Sequence, residues 1–386
     1  MSAGASVAPP RVAFGALRDD YAQKRAAIDA AVARVLASGW FILGDEVARF
    51  EEEFARYLGV EHVIACANGT EAIALALQAA GLRPGDAVLV PANTCGPTLA
   101  GARLAGAAPR LCDVDGETLT MDATGAEAAL KVSPSLRFLL PVHLYGGVAD
   151  CEGLLALAAR RGATVVEDCA QSHGASRAGR MTGGLGRTAA FSFYPTKNLG
   201  AYGDGGAVAT RDAGAAERVR ELRQYGWTRR DFAEREGRNS RLDEIQAAIL
   251  RVKLATLDAE NRRRREIAER YDAAFAGLPL RLLRTRAHTV PSRHLYPVRV
   301  ANGRREAFQA HLAARGVETR IHYPVPLHLQ PAYAFLGHRC GDFPVSEEAC
   351  DTVVSLPIYP TLSEAQVSEV IDAVRGSFDA GPGSRP

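Results

Sequence analysis

The chain has 386 residues, 47% of them hydrophobic and 23% charged, and a formal net charge of +2 at pH 7. It is long enough for two cores and has the composition of an ordinary globular protein. Its arginines are spread along the chain beside acidic residues, and nothing in that distribution predicts nucleic-acid binding. Seven cysteines, an odd number without a CxxC pair, point to a reduced compartment. The start MSAGASVAPPRVAFG lacks the charged and apolar stretches of a leader, and no apolar run is long enough to span a bilayer. A cytoplasmic protein without a membrane partner is expected.

From about Phe50 to Asp212, short β-branched or aliphatic runs alternate with helical stretches. HVIACAN, AVLVPAN, APRLCDV, LRFLLPVHLYG, ATVVEDCA, AAFSFYP and GGAVAT read as strands, with TEAIALALQAAG and EGLLALAARRG among the helices between them. Near-continuous apolar strands separated by helices predict an α/β fold: a mostly parallel sheet covered on both faces, with ligands beyond the carboxyl ends of its strands. After Asn239, the run SRLDEIQAAILRVKLATLDAENRRRREIAERYDAAFAG reads as one long amphipathic helix bridging two units. A smaller α+β unit follows, giving expected domains of 1–255 and 256–386. The tail GSFDAGPGSRP is expected to fray.

Three places in the predicted sheet carry chemistry. Asn68-Gly69-Thr70-Glu71 lies where a strand gives way to a helix; it can merely cap that helix, or offer free N–H groups and a hydroxyl to an anion, with Ser192 as a further donor. Asp168 ends the apolar strand of ATVVEDCA, where it can cap the next helix or sit beside a ligand's cationic nitrogen. Lys197, in FSFYPTKNLGAYGDGGAV, is one of four lysines in a basic complement otherwise made of arginine. An amine can be deprotonated and attack a carbonyl, whereas a guanidinium cannot.

The strings ANGTEAIALAL, VPANT, PVHLYGG, VEDCAQSHGA, FSFYPTKNLGAYGDGGAV, GRNSRLDEIQAAIL and IHYPVPLHLQPAY resemble the DegT/StrS-type sugar aminotransferases, from about Trp40 to Pro360. That resemblance implies the aspartate-aminotransferase fold (fold type I) and pyridoxal 5'-phosphate as cofactor. It implies that Lys197 forms a Schiff base with the cofactor, that Asp168 pairs with its ring nitrogen and that Gln171 lies near its phenolic oxygen. Gly69, Thr70 and Ser192 would hold the phosphate, and Asn239 would reach the phosphate of a neighbouring subunit, so that a homodimer shares its sites. Trp40, Phe41, Arg241, His322 and Tyr323 are the implied substrate-pocket residues. Many relatives carry an aromatic residue where this chain has Cys95, which alters whatever stacks on the cofactor.

The activity implied is transfer of an amino group, with L-glutamate as donor, to a nucleotide-linked keto sugar. The segment YGW before GRNSRLDEIQAAILRVKL is most like members that aminate the third carbon of a thymidine-linked 6-deoxy-keto-hexose; the fourth carbon and a cyclitol are the alternatives. A sugar dehydratase branch has histidine in place of the lysine, against which Lys197 argues. A regulatory protein that binds the cofactor without turnover is the rival from another class. His322 and His328 fit no common metal spacing, so no metal is expected. Gly183, Gly184 and Gly186 lack the strand, GxGxxG and helix order of a dinucleotide site and read as a turn.

Overall fold

All seven strands expected from the sequence form one sheet in the computed structural model, which describes residues 10–133 and 135–379. They are His62–Cys66, Ala87–Pro91, Ala108–Cys112, Leu136–Leu139, Thr164–Asp168, Thr188–Ser192 and Gly206–Thr210. Their spatial order is 62–66, 206–210, 188–192, 164–168, 136–139, 87–91 and 108–112. Strand 206–210 alone runs against the others, pairing antiparallel with both neighbours. It can do so because strand 188–192 returns to it through a loop without a helical crossover.

Alternate residues of each strand serve opposite faces. Val166 packs in one core with helix Gly69–Ala79, while Val165 packs in another with helix Cys151–Arg161. Both faces are therefore covered, and the strands are apolar throughout, as a three-layer α/β sandwich requires. A further core forms where helix Asp45–Leu58 lays Phe50 and Phe54 against Phe191 and Phe193. Glu244 anchors that helix from a distance, its carboxylate accepting the N–H groups of Gly44, Glu46 and Val47 at 2.8, 2.8 and 2.9 Å. A carboxylate there satisfies orphan donors and opposes the helix dipole.

The long helix expected after Asn239 is two helices, Glu244–Leu254 and Leu257–Phe275. The interruption falls at Ala255 and Thr256, where the Thr256 hydroxyl donates to the Lys253 carbonyl at 3.1 Å and competes for a helical acceptor. Periodicity alone could not reveal it, because the apolar repeat continues across the break. Leu257 joins the core of the large sheet, while Ile267, Tyr271 and Phe275 lie in the second core. That core is built on the antiparallel strands Arg281–Leu282, Tyr296–Arg299 and Val353–Leu356 with helices Arg305–Ala314 and Glu364–Asp379, and it also takes in Val12.

The tail expected to fray starts inside helix 364–379, whose Val367, Val370 and Val374 are buried. Residues 1–9, most of the stretch read for a leader, and 380–386, the rest of the tail, lie outside the described residues. No described helix is long and apolar enough to cross a membrane.

Candidate active site

The carboxyl ends of strands 164–168 and 188–192, the start of helix 69–79 and the turn after Ser192 surround a cavity of about 660 Å³. Gly69, Thr70, Asp168, Gln171, Ser192, Lys197, His322 and Tyr323 all line it. Thus eight residues expected from the sequence meet at one edge of the sheet.

The two readings of Asn68-Gly69-Thr70 turn out to be compatible. Asn68 caps the helix, its Oδ1 accepting the Glu71 N–H at 2.9 Å, and this leaves the Gly69 and Thr70 end of the helix facing the cavity. A Cβ on Gly69 would lie 2.5 Å from the Ser192 Cβ, so only glycine lets the helix start approach the serine this closely. The result is a small cradle of backbone donors and hydroxyls.

Asp168 is buried and doubly held: Oδ2 accepts the Thr98 hydroxyl at 2.8 Å and Oδ1 the Ala170 N–H at 3.0 Å. Burial pushes its proton affinity up, and the net shift remains upward although these two donors and Lys197 oppose it. Lys197 sits in a turn closed by its N–H to the Tyr194 carbonyl at 2.8 Å. The turn needs Gly200, where a Cβ would lie 2.4 Å from the Pro195 carbonyl oxygen. Burial lowers the Lys197 pKa against the pull of Cys95 and Asp168, so the amine is biased toward its neutral, nucleophilic form.

The remaining wall comes from the distant segment of His322 and Tyr323. Gln171 ties it to the loop after strand 136–139, its Oε1 accepting the Tyr145 N–H at 2.7 Å and its Nε2 donating to the Tyr323 hydroxyl at 2.9 Å. His322 pairs through Nδ1 with the Ser355 hydroxyl at 3.0 Å, and burial together with Lys197 pushes its pKa down to about 4.

Other expected residues lie elsewhere in this chain. Asn239 is exposed and bridges Gln224, Arg241 leans on the Tyr225 ring at 5.9 Å, and neither lines the cavity. Trp40 and Phe41 are exposed to 63% and 46%, with Trp40 on a different cavity. Thr98, Cys95, Tyr194 and His294, by contrast, line the site. The signal for Thr98 was present in its spacing of four residues from Thr94, just ahead of helix Gly96–Leu104, where the two hydroxyls meet at 3.0 Å. His294, in SRHLYPVRV, carried no local signal, because its relevance arises from the packing of a distant strand.

Among the described residues, His143, Cys151 and Glu167 are the one trio close enough to hold a metal, but their atoms are already engaged. The Glu167 carboxylate accepts the N–H groups of Gly183, Leu185 and Gly186 and faces His143 Nε2 at 3.0 Å. His143 Nδ1 accepts the Ala149 N–H at 3.1 Å, so Nε2 is the protonated nitrogen and offers no lone pair. The glycine cluster is therefore a turn wrapped on a buried carboxylate next to Asp168.

The model of the DegT/DnrJ/EryC1/StrS aminotransferase family matches residues 22–375. A dTDP-3-amino-3,4,6-trideoxy-alpha-D-glucose transaminase of Streptomyces venezuelae is 47% identical over 367 residues, 95% of this chain and 96% of its own. The structure of DesV from S. venezuelae superposes with a TM-score of 0.92 at 47% identity, covering 95% of this chain and 98% of that one. NtdA from Bacillus subtilis, solved with the bound cofactor PMP, superposes with a TM-score of 0.88 at 28% identity, covering 97% and 86%.

Proposed function

Because the chain belongs to the DegT/DnrJ/EryC1/StrS aminotransferase family, we propose that it is a pyridoxal-phosphate-dependent aminotransferase of a nucleotide-linked keto sugar. The observation that carries this reading is the meeting of Lys197 and Asp168 in one cavity with the Gly69, Thr70 and Ser192 cradle. The residues present fit that cofactor: a buried carboxylate for a protonated ring nitrogen, an amine of lowered pKa for its aldehyde, and a glycine-lined helix start for its phosphate.

When bound, pyridoxal phosphate supplies an electron sink and a carrier for the amino group. The protein's own part is to bind, orient and move protons. Gly69, Thr70 and Ser192 hold the phosphate through N–H and O–H donors, and Asp168 fixes the ring nitrogen's proton by charge. Thr98 and the Ala170 N–H keep that carboxylate in place. The neutral Lys197 amine takes the proton from the donor's α-carbon and later delivers one to the sugar's keto carbon. Gln171, tied to Tyr145 and Tyr323, orients the ring's oxygen edge and joins distant segments around the site.

The finer reading is amination at the third carbon of a dTDP-linked 6-deoxy-keto-hexose with L-glutamate as donor. It is supported by the similarity to transaminases named for dTDP-3-amino sugars at 47% and 43% identity. A homodimer completes the proposal, with Asn239, Trp40, Phe41 and Arg241, which stand outside the cavity of their own chain, serving the partner's site. Incubation with pyridoxal phosphate, borohydride reduction and peptide mapping should place the cofactor mass on Lys197, and Lys197→Ala should abolish it. A panel of nucleotide keto sugars should then yield an amino sugar from the dTDP-3-keto-6-deoxyhexose. Label on another lysine, or amination of no sugar in the panel, would refute the reading.

A further inference from the structure

A small cavity of about 40 Å³ lies behind the Leu144–Tyr145 loop, apart from the Gly69, Thr70 and Ser192 cradle. Its walls come from the loop after strand 108–112, the loop after strand 136–139 and the segment that runs into strand Tyr296–Arg299. Arg284, Arg286 and Arg293 line it against a single carboxylate, Asp272, so the lining carries an excess of positive charge. Thr118, Thr285 and Thr289 bring hydroxyls to the same walls. Leu295 lines this cavity and the active site alike, and Tyr145 is tied through its N–H to Gln171 of the active site.

The carboxylates within reach hold these arginines loosely. Asp115 stands 3.8 Å from Arg286, while its Oδ1 accepts the N–H and the hydroxyl of Thr118 at 2.8 and 2.7 Å. Asp272 stands 3.5 Å from Arg293 and accepts the Tyr296 hydroxyl at 2.6 Å. Arg284 pairs with Glu117 at 2.9 Å, but both side chains are largely exposed, and such a pair contributes little. Arg286 keeps the most unused capacity. Nη2 donates to the Thr118 hydroxyl at 3.3 Å, and Nε is buried without a hydrogen-bond partner among the described residues. The Thr289 hydroxyl is likewise buried and unpartnered. Buried donors are nearly always satisfied, so two on one wall point to a ligand that accepts from both. The backbone adds a further sign: Arg293 holds a left-handed conformation at φ 48°, and a Cβ on Gly146 would lie 2.7 Å from its nitrogen. A non-glycine residue persists there only where its surroundings over-determine it.

We propose that this cavity binds one tetrahedral oxyanion of the phosphate or sulfate class, held by the guanidinium groups of Arg286 and Arg293 and the hydroxyls of Thr118 and Thr289. A planar fork of N–H donors matches the oxygens of such an anion. The volume takes about three water-sized groups, which suits a single phosphate group and excludes a nucleoside. Bound there, the anion bridges the arginine segment to the Thr118 loop and braces Tyr145 behind Gln171.

The test is calorimetric titration with sodium sulfate, at constant ionic strength in phosphate-free buffer, of protein loaded with pyridoxal phosphate and saturated with dTDP. Those two ligands fill the active site, so saturable binding of one sulfate per chain is expected from this cavity. Arg286→Gln should weaken it about tenfold or more, the loss expected when a hydrogen bond between charged groups is removed, and leave amination in sulfate-free buffer unchanged. Asp272→Asn removes the negative charge from the wall yet keeps an acceptor for Tyr296, so it should tighten binding, and it decides the matter should the glutamine variant fail to fold. Sulfate should also raise the Tm of the wild type and not that of Arg286→Gln, a difference that a merely structural arginine would not produce. Inorganic phosphate and glycerol 3-phosphate, titrated in parallel, separate the sources. Arg286-dependent binding of the ester assigns the cavity to the phosphate end of a larger molecule, and binding of the inorganic ions alone assigns it to a free anion. Absence of saturable sulfate binding, or equal affinity in wild type and both variants, would overturn the site. So would binding that occurs only when dTDP is left out, which would place the ion in the active site.

Discussion

Thr98→Val separates the electrostatics of the site from its shape. Both Thr98 and Asp168 are 2% exposed, and the hydroxyl reaches Oδ2 at 2.8 Å. Valine keeps the branched outline and removes the donor, also leaving the Thr94 hydroxyl without its neighbour at 3.0 Å. A hydrogen bond to a charged group contributes about 1.5–3 kcal/mol, and here the loss falls on the ionised carboxylate alone. Burial already holds the Asp168 pKa above its ordinary value, so removing a donor moves it further up. The ionised form is then lost earlier as pH falls, and any process that requires it has its acidic limb shifted to higher pH. Titrating pyridoxal phosphate into wild type and variant between pH 5 and 9 reads this directly. At pH 7 the affinity should drop about tenfold or more, since 1.4 kcal/mol is a factor of ten, and Thr98→Ser should restore it. An acidic limb that stays in place in Thr98→Val would show that the hydroxyl does not support the carboxylate's charge.

Gly69→Ala should abolish cofactor binding while the chain still folds, because the new Cβ meets the Ser192 Cβ at 2.5 Å and drives the two halves of the cradle apart; full affinity in the alanine variant would refute the close approach. Glu244→Gln should lower thermal stability by about 1–3 kcal/mol, since a neutral amide is a weaker acceptor for the three N–H groups at the start of helix 45–58; differential scanning calorimetry checks it, and an unmoved Tm would deny Glu244 that role. His173 is fully buried, with no well-formed hydrogen bond to either ring nitrogen among the described residues, and burial, then Lys197, holds its pKa at about 3 against the opposing pull of the Ser192 backbone. The unfolded chain protonates this ring near 6.5 and the folded one does not, so stability present above that value is lost as pH falls, by about 2 kcal/mol at pH 5. His173→Phe should flatten that part of the acid stability profile, and an equal slope in both proteins would count against it.

Much of this protein was legible in its sequence because the relevant signals are local. Each of the seven sheet strands is a short apolar run bounded by turn residues, and strand-to-helix junctions have a fixed geometry. The run ending in Asp168, the start at Gly69 and the turn holding Lys197 could therefore be assigned to one edge of a sheet. The helix break at Thr256 was hidden, since a hydroxyl competing for one carbonyl leaves the apolar repeat intact.

The placement of Trp40, Phe41, Asn239 and Arg241 off the cavity of their own chain was equally invisible to pattern. Residue types determine what a position can do, and which residues share a wall depends on how distant elements pack. Only the tertiary structure put Thr98 against Asp168 and Tyr323 against Gln171 across 152 residues. Contacts of that kind arise from burial shared between segments far apart in the chain, and no short stretch of sequence contains both partners.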